Sequence, residues 1–253
     1  MSGHDRLYTS AHVKNTDMDP KSFYDRLWGA KCEHDYRPAR QRDWFHRFIL
    51  DPIFDPMANP RHDVALSLLR GGQRLLDIGC WNGYLLERIR AAGLYKELYG
   101  IDVVSEGVEA VRSKGFHAEV VDLNETPLPF PDAYFDGITM LAVLEHVFDP
   151  YSVIREIRRV LRLGGHLVLD VPNVASFTNR ARILLGRLPV TSLDPGWDGG
   201  HLHYFTKHAL DRFLQTEGFD VVARKTTGGH PRLREWWISL LAGEFVYLCQ
   251  HRL

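Results

Sequence analysis

From residue 60 onward, short apolar runs alternate with stretches in which apolar residues recur every three or four positions. The first pattern predicts strands and the second predicts amphipathic helices, such as NGYLLERIRAAG with Leu85, Leu86 and Ile89 on one face. Strands that alternate with helices form a parallel sheet covered on both faces. The last two strands, DVVARKTTGG and EFVYLCQHR, lack a long crossover and predict an antiparallel hairpin at the sheet edge. The pattern therefore predicts an α/β fold with a doubly wound, mostly parallel sheet of seven strands.

The chain divides into one principal domain with two additions. Residues 60–253 carry the alternating pattern, and residues 174–203 interrupt it with an insertion that contains one predicted helix and the loop LDPGWDGGHLH. Residues 1–59 are predicted to be helical in part and to pack over the front of the domain as a lid. Within the domain, DPYSVIREIRRVLRLGG predicts a helix that begins at Asp149, because aspartate followed by proline is typical of a helix N-terminus.

The composition is that of a globular protein, with 45% hydrophobic and 25% charged residues. A formal net charge of −1 lacks the basic excess of proteins that bind nucleic acids, so no nucleic-acid partner is expected. No run approaches the roughly 18 apolar residues of a membrane span, and the N-terminus lacks the apolar core of a secretory signal. Three widely spaced cysteines predict no disulfide framework. We therefore expect a cytoplasmic protein that is a monomer or a homodimer.

The segment REWWISLLAG is rich in aromatic residues, and two interpretations of it stay open. Trp236 and Trp237 suit the headgroup depth of a bilayer, which would make the segment a weak peripheral membrane contact. Alternatively, the segment caps the sheet edge or forms a dimer contact, and this second interpretation is favoured.

The turn after the first strand reads LLDIGCWNG and narrows the choice of ligand. A dinucleotide fingerprint needs G-x-G-x-x-G, so that backbone can approach the pyrophosphate and the helix can pack on the strand. Counted from Gly79, the second and third glycine positions hold Trp81 and Tyr84. S-adenosylmethionine has no pyrophosphate and does not need the second glycine. We therefore expect this cofactor and not NAD or FAD, with Trp81 at an ordinary negative φ.

Acidic residues after the next two strands support the same ligand. Asp102 ends the second strand 23 residues after Gly79, where a carboxylate can accept hydrogen bonds from both ribose hydroxyls. Asp122 and Leu123 end the third strand, where the adenine is expected. The helix that starts after Gly83 offers free N–H groups to the carboxylate of the cofactor's amino acid part.

Six motifs together resemble a known family. They are LLDIGCWNG, GID, VDLNETPLPFPDAYFDGI, LEHVFDP, REIRRVLRLGGHLVLDVPN and HYFTKHALDRFLQTEGF. Residues 74–171 are similar to the core of the class I S-adenosylmethionine-dependent methyltransferases, especially the small-molecule enzymes of quinone, sugar and secondary metabolism. Trp81 departs from the family's usual middle glycine. The resemblance implies a Rossmann-like fold, S-adenosyl-L-methionine as cofactor, and cofactor contacts from Asp77, Gly79, Cys80, Trp81, Asn82, Gly83, Asp102, Val103, Asp122, Leu123, Asn124 and Leu141.

Methyl transfer from a sulfonium is an in-line displacement in which positioning and desolvation supply most of the catalysis. An oxygen or amine acceptor can also need a general base with a pKa near neutrality. The candidates are His146, directly after the fourth strand, and His201 and His203 from the insertion. Glu145 is expected to orient the loop rather than to act directly.

No metal ion is expected. Some quinone-pathway relatives bind a divalent metal through Glu-x-x-Glu-His at this point, but Ala142 stands at the first of these positions. One carboxylate is therefore absent from a set that needs several oxygen ligands.

The sequence thus predicts a methyltransferase that acts on a small-molecule acceptor, by O-methylation of a sugar, a quinone-like compound or a secondary metabolite. The alternative is a non-catalytic accessory protein that supports a partner enzyme. Gly79, Gly83 and Asp102 are all present, and this favours an active enzyme.

Overall fold

The structure is a computed structural model that describes residues 60–125, 127–192 and 197–252. The predicted N-terminal lid, residues 1–59, lies outside the described residues. The helices and strands of the described ranges, in chain order, are α1 (Arg61–Leu68), β1 (Gly72–Ile78), α2 (Tyr84–Ala91), β2 (Tyr95–Asp102), α3 (Ser105–Ser113), β3 (His117–Val120), β4 (Phe135–Leu141), α4 (Pro150–Val160), β5 (Leu161–Pro172), α5 (Phe177–Leu184), α6 (Lys207–Thr216), β6 (Phe219–Thr226), α7 (Pro231–Trp236), α8 (Ile238–Leu241) and β7 (Glu244–His251).

The strands form one sheet in the order β3-β2-β1-β4-β5-β7-β6. Strands β1 to β5 are parallel, and β7 lies antiparallel between β5 and β6. The predicted doubly wound, mostly parallel sheet with an antiparallel C-terminal hairpin is confirmed. The chain moves outward from β1 to β3 and then returns to β4 on the other side of β1. In such a sheet, ligands bind in the crevice at the carboxyl ends of the strands where the order reverses.

Apolar side chains cover both faces of the sheet. On one face, α4 buries Ile154 and Ile157 completely in the cluster that also contains residues of β4 and β5. On the other face, α2 buries Leu86 and Ile89 among residues of β1 and β2. Each such side chain stabilises the fold by roughly 1.5–3 kcal/mol relative to leaving it exposed.

Helix α4 begins where the sequence predicts and ends earlier. The carboxylate of Asp149 accepts hydrogen bonds of 3.0 and 3.2 Å from two backbone N–H groups of the first turn. The predicted continuation through RLGG is wrong, because the helix ends at Val160 and Leu161 pairs with Phe135 as part of β5. Gly164 has a φ of +72°, a conformation that glycine adopts readily and that interrupts a helix.

The carboxyl ends of β1, β2, β4 and β5 lie at one edge of the sheet. Because β7 is antiparallel to both of its neighbours, β6 runs in the same direction as β5 and ends at this same edge. The insertion after β5 and the short helices α7 and α8 after β6 therefore share this edge with the loops that follow β1, β2 and β4. Within the described ranges, no helix is long and apolar enough to cross a membrane.

Candidate functional site

A cavity opens at the carboxyl ends of β1, β2 and β4, and it encloses about 860 Å³ including its open mouth. Its floor is mostly apolar, with Ile78, Val104 and Val143 among the residues that line it. A largely apolar cavity of this size with a few polar groups is typical of a small-molecule site. The predicted residues that line it are Gly79, Trp81, Asp102, Val103, Asp122, Leu123, Asn124, Leu141 and His146.

The turn after β1 is tied to the end of β2. The backbone N–H groups of Gly79 and Cys80 both donate to the carbonyl of Ile101, at 2.9 and 3.1 Å. Gly79 has a φ of +74°, and a Cβ placed on it would lie 2.4 Å from Cγ2 of Val143. Conformation and space both require glycine at this position.

Trp81 lies in the same turn in a left-handed conformation, with a φ of +47°. The predicted negative φ is therefore wrong. The backbone N–H of Trp81 donates a hydrogen bond of 2.8 Å to Oδ2 of Asp102. Its carbonyl oxygen lies 2.9 Å from the place that a Cβ on Gly107 would occupy, so the turn packs directly on α3. These contacts hold a non-glycine residue in the left-handed conformation, which costs an L-residue about 1–2 kcal/mol in conformational free energy.

Asp102 faces the cavity from the end of β2. Its two carboxylate oxygens accept hydrogen bonds from the backbone N–H groups of Trp81 and Val104, the second at 3.0 Å. Burial raises the pKa of Asp102 above its usual value, although these N–H groups act in the opposite direction. Each oxygen keeps a second lone pair, so the carboxylate can still accept hydrogen bonds from ligand hydroxyls.

Four of the predicted contact residues do not line the cavity. Asp77 is buried beneath the turn and accepts a hydrogen bond of 2.7 Å from the Thr139 hydroxyl; burial raises its pKa to about 7. Cys80 is buried with its sulfur toward Gly100. Asn82 accepts a hydrogen bond from the N–H of Tyr84 on the outside of the turn. Gly83, with a φ of +78°, precedes the first residue of α2. These four residues support the conformation of the turn and do not form the cavity wall.

The loop after β3 is joined to the loop after β4. Asn124 donates from its side-chain and backbone nitrogens to Oδ1 of Asp122, at 2.8 and 2.9 Å. Its own side-chain oxygen accepts a hydrogen bond of 2.9 Å from the N–H of Phe148. Leu123 packs against the apolar cluster below. This arrangement gives the cavity one wall that is apolar at Leu123 and polar at Asp122.

His146 ends the short 3₁₀ helix Leu144–His146 after β4 and lines the cavity. Its Nδ1 lies 3.3 Å from the carbonyl oxygen of Gly200, which can only accept. The hydrogen-bond network therefore assigns the proton of the neutral ring to Nδ1, so Nε2 is the basic nitrogen of that tautomer. The ring of His201 packs edge-on against it, with 4.7 Å between the ring centroids.

His201 is oriented by a hydrogen-bond chain within the insertion. Oγ1 of Thr191 lies 2.5 Å from Oδ2 of Asp198 and 2.7 Å from Nδ1 of His201. Burial raises the pKa of Asp198, but hydrogen bonds from Thr191 and Ser192 outweigh it, so the net shift is downward and the group is a carboxylate. The single hydroxyl proton therefore goes to Asp198, and His201 donates from Nδ1 to Thr191. His201 is buried and does not line the cavity.

His203 has a different environment from the other two histidines. Its Nε2 lies 2.9 Å from the carbonyl oxygen of Val147 and 3.3 Å from that of Phe148, so this nitrogen is a donor. It joins the insertion to the loop after β4 and does not line the cavity. Of the three predicted catalytic histidines, the structure brings only His146 to the cavity wall.

Glu145 connects the same two segments and was expected only to orient its loop. Its backbone carbonyl accepts from the N–H groups of Leu202 and His203, at 2.8 and 3.0 Å. Its buried carboxyl group has no hydrogen-bond partner among the described residues, and burial raises its pKa to about 8. One ligand atom each from Glu145, His146 and His201 lie within 4.8 Å of one another. The Glu-x-x-Glu-His spacing that begins at Ala142 contains Glu145 and His146 only. It could not reveal the set of three, because His201 comes from the insertion.

A charged cluster that the sequence did not predict lies next to Glu145. Arg61, at the start of α1, lies 3.6 Å from Oδ2 of Asp170 and pairs with Glu244. Asp170 is fully buried at the end of β5, and burial raises its pKa well above the usual range. The carboxyl groups of Asp170, Glu244 and Glu145 thus all interact with the guanidinium of Arg61. No sequence motif marks this cluster, since Arg61 and Glu244 lie 183 positions apart.

Comparisons with known proteins identify the family of the chain. A protein-family model described as a methyltransferase domain matches residues 35–224. The 27-O-demethylrifamycin SV methyltransferase of Amycolatopsis mediterranei (strain S699) is 40% identical over 219 residues, which cover 80% of this chain and 73% of that relative. The ubiquinone biosynthesis O-methyltransferase of Alkalilimnicola ehrlichii is 30% identical over 154 residues, which cover 55% of this chain and 60% of that relative.

A solved structure shares the fold. The S-adenosylmethionine-dependent methyltransferase from Methanosarcina mazei aligns with a TM-score of 0.56 and 23% identity, over 75% of this chain and 97% of that one. The cavity suits the cofactor of such proteins, with an apolar floor for an adenosine and the Asp102 carboxylate for ribose hydroxyls. Sequence, sheet order and cavity together show that the chain belongs to the class I S-adenosylmethionine-dependent methyltransferases.

Proposed function

We propose that the protein transfers a methyl group to a hydroxyl oxygen of a small-molecule acceptor, such as a secondary metabolite, a quinone-like compound or a sugar. The observation that carries the proposal is His146, whose ring lines the cavity and whose Nδ1 donates to the Gly200 carbonyl, so Nε2 is the basic nitrogen. Two relatives support an oxygen acceptor, since one is named for 27-O-demethylrifamycin SV and the other is named an O-methyltransferase.

The residues of the chain have separable tasks in this proposal. The cofactor, when bound, supplies an electrophilic methyl group. Asp102 and the turn at Gly79 hold its adenosine end, and Asp122 and Leu123 form the wall where the adenine lies. His146 accepts the proton of the acceptor hydroxyl as the oxygen attacks, which contributes about 10²–10⁴-fold in such reactions.

The insertion supports His146. His201 packs edge-on against the His146 ring, and the chain from His201 through Thr191 to Asp198 keeps that ring in one orientation. His203 and the carbonyl of Glu145 join the insertion to the loop that carries His146. In this proposal His201 and His203 are positioning residues, and only His146 touches the reacting atoms.

A non-catalytic accessory role is the alternative function. Such a protein would bind the cofactor or nothing and would need no base at the cavity wall, so the position of His146 favours methyl transfer instead. The test incubates the full chain with S-adenosylmethionine carrying a labelled methyl group and a panel of sugars, quinols and polyketide hydroxyl compounds. We expect label in one of these classes, lost in His146→Ala. Cofactor binding without label in any class, or equal labelling by His146→Ala, would contradict the proposal.

A further inference from the structure

Large apolar side chains are unusually exposed in two segments of the chain. Of the sixteen exposed large apolar residues in the described ranges, nine lie within residues 177–190 and 233–237. Leu184 is 87% exposed, Leu185 is 74% exposed and Trp236 is 79% exposed. Single exposed apolar residues need no explanation, but a concentration of them marks an interaction surface.

The two segments lie side by side. The guanidinium of Arg180 on α5 donates to the carbonyl of Ser239 on α8, at 3.5 Å. The side chain of Asn173, just before α5, donates to the carbonyl of Ala242 at 2.9 Å. Both segments follow strands, β5 and β6, that end at the edge of the sheet where the cavity opens; we call this edge the ligand edge. We call residues 177–190 together with residues 231–241 the apolar face.

The charges on the apolar face are almost all positive. Arg180, Arg182 and Arg187 lie in its first segment, which has no acidic residue, and Arg232 and Arg234 lie in its second. The one acidic residue, Glu235, forms a salt bridge with Lys225 at 3.3 Å. The face is therefore basic, although the whole chain has a net charge of −1.

This combination selects among the possible occupants. In a symmetric pair of this chain, the same basic face would meet itself, so the arginines would repel one another. Residues 1–59 contain nine basic and nine acidic residues and offer no net charge of opposite sign. An anionic bilayer offers both headgroups of negative charge and an apolar interior for tryptophan and leucine.

We propose that the apolar face docks on the surface of an anionic lipid bilayer, with Trp236, Trp237 and Leu184 in the headgroup region and the arginines against lipid phosphates. The face is continuous with the active-site edge. Val190 donates to the side chain of Asn179 on α5 at 3.0 Å, and the next residue, Thr191, contacts His201. If the proposed function holds, an apolar acceptor dissolved in the bilayer reaches His146 from this side.

The test is sedimentation of the full chain with lipid vesicles, a measurement that needs no acceptor. The vesicles contain phosphatidylcholine alone or phosphatidylcholine mixed with phosphatidylglycerol. We expect binding to the mixed vesicles only, weakened by added salt because surface charges are screened. Binding should be accompanied by a blue shift of tryptophan fluorescence.

Two double variants locate the surface. Trp236→Ser with Trp237→Ser, and Arg182→Glu with Arg187→Glu, should each weaken vesicle binding by at least about tenfold. Leu163→Ser is the matched control, since Leu163 is 58% exposed at the opposite end of β5. This variant should bind the mixed vesicles as the parent does. Binding of S-adenosylhomocysteine and the circular dichroism spectrum establish that each variant is folded.

The proposal is overturned if the parent does not bind the mixed vesicles, or if both double variants bind them as the parent does. It is also overturned if the parent is a dimer by light scattering and the tryptophan variant is a monomer, which would assign the face to a second copy. Failure of methyl transfer with every acceptor leaves the vesicle result unaffected, so the two proposals fail separately.

Discussion

The two halves of the ligand edge are built differently. The half over β1, β2 and β3 is made by short-range contacts, in which the turn at Gly79 bonds to the neighbouring strand end and Asp102 bonds to that turn. The half over β4, β5 and β6 is assembled from distant segments, so that His146 meets His201 of the insertion and Arg61 meets Glu244. The first half suits a ligand common to a family, and the second can change without disturbing it.

The largest expected effect separates the halves by activity. His146→Ala should lower kcat by about 10²–10⁴, because it removes the base. Affinity for S-adenosylhomocysteine should stay near that of the parent, since His146 belongs to the half over β4, β5 and β6, where the acceptor is proposed to bind. His146→Asn is the control, because its amide can still donate to the Gly200 carbonyl but has no basic nitrogen. Full activity in the asparagine variant would show that His146 only positions the loop.

Asp102→Ala should have the reverse pattern. Cofactor affinity should fall by roughly 1.5–3 kcal/mol, the range for hydrogen bonds to a charged group. The loss also frees the N–H groups of Trp81 and Val104, so thermal unfolding of the variant is measured alongside calorimetry. Unchanged affinity in a folded variant would place the ribose elsewhere.

The buried carboxyl group of Glu145 should make the free energy of unfolding of the chain depend on pH. Burial raises its pKa to about 8 in the folded chain, against a usual value of 4.5. Between these values the unfolded chain has released a proton that the folded chain keeps, so the free energy of unfolding falls as pH rises. Glu145→Gln cannot ionise, and its free energy of unfolding should fall by about 3–5 kcal/mol less than that of the parent between roughly pH 5 and pH 9. Denaturant unfolding at both pH values measures this difference, and parallel curves would contradict the assignment.

Trp81 tests the conformation of the cofactor turn with a smaller effect. Trp81→Gly and Trp81→Ala both remove the indole, but only alanine keeps a Cβ at the left-handed φ of +47°. The glycine variant should therefore be more stable than the alanine variant by about 1 kcal/mol. Equal melting temperatures, or a more stable alanine variant, would contradict the left-handed conformation of Trp81 and indicate a negative φ.

Metal removal should have the smallest effect. We expect methyl transfer to continue after dialysis against a chelator, because Ala142 leaves the group of Glu145, His146 and His201 without a further carboxylate. Loss of activity that a divalent cation restores would instead identify these three residues as ligands.

The contrast between the halves also explains what the sequence could predict. Strand order, the cap at Asp149 and the residues around Gly79 and Asp102 depend on local patterns, which a single sequence contains. The left-handed Trp81 was missed because it depends on the bond to Asp102 and the close approach of α3, which no local preference reports. The hydrogen-bond chain of Thr191, Asp198 and His201 was missed because these residues meet within an irregular loop of the insertion, where no periodic pattern indicates which side chains come together.

The identity of the cofactor is tested most directly by calorimetry of the parent protein with S-adenosylhomocysteine and with NADH. The turn at Gly79 has Trp81 where a pyrophosphate would need glycine, and the Asp102 carboxylate can accept hydrogen bonds from ribose hydroxyls. We expect S-adenosylhomocysteine to bind and NADH to produce no heat of binding. Binding of NADH, with no binding of S-adenosylhomocysteine or S-adenosylmethionine, would contradict this expectation.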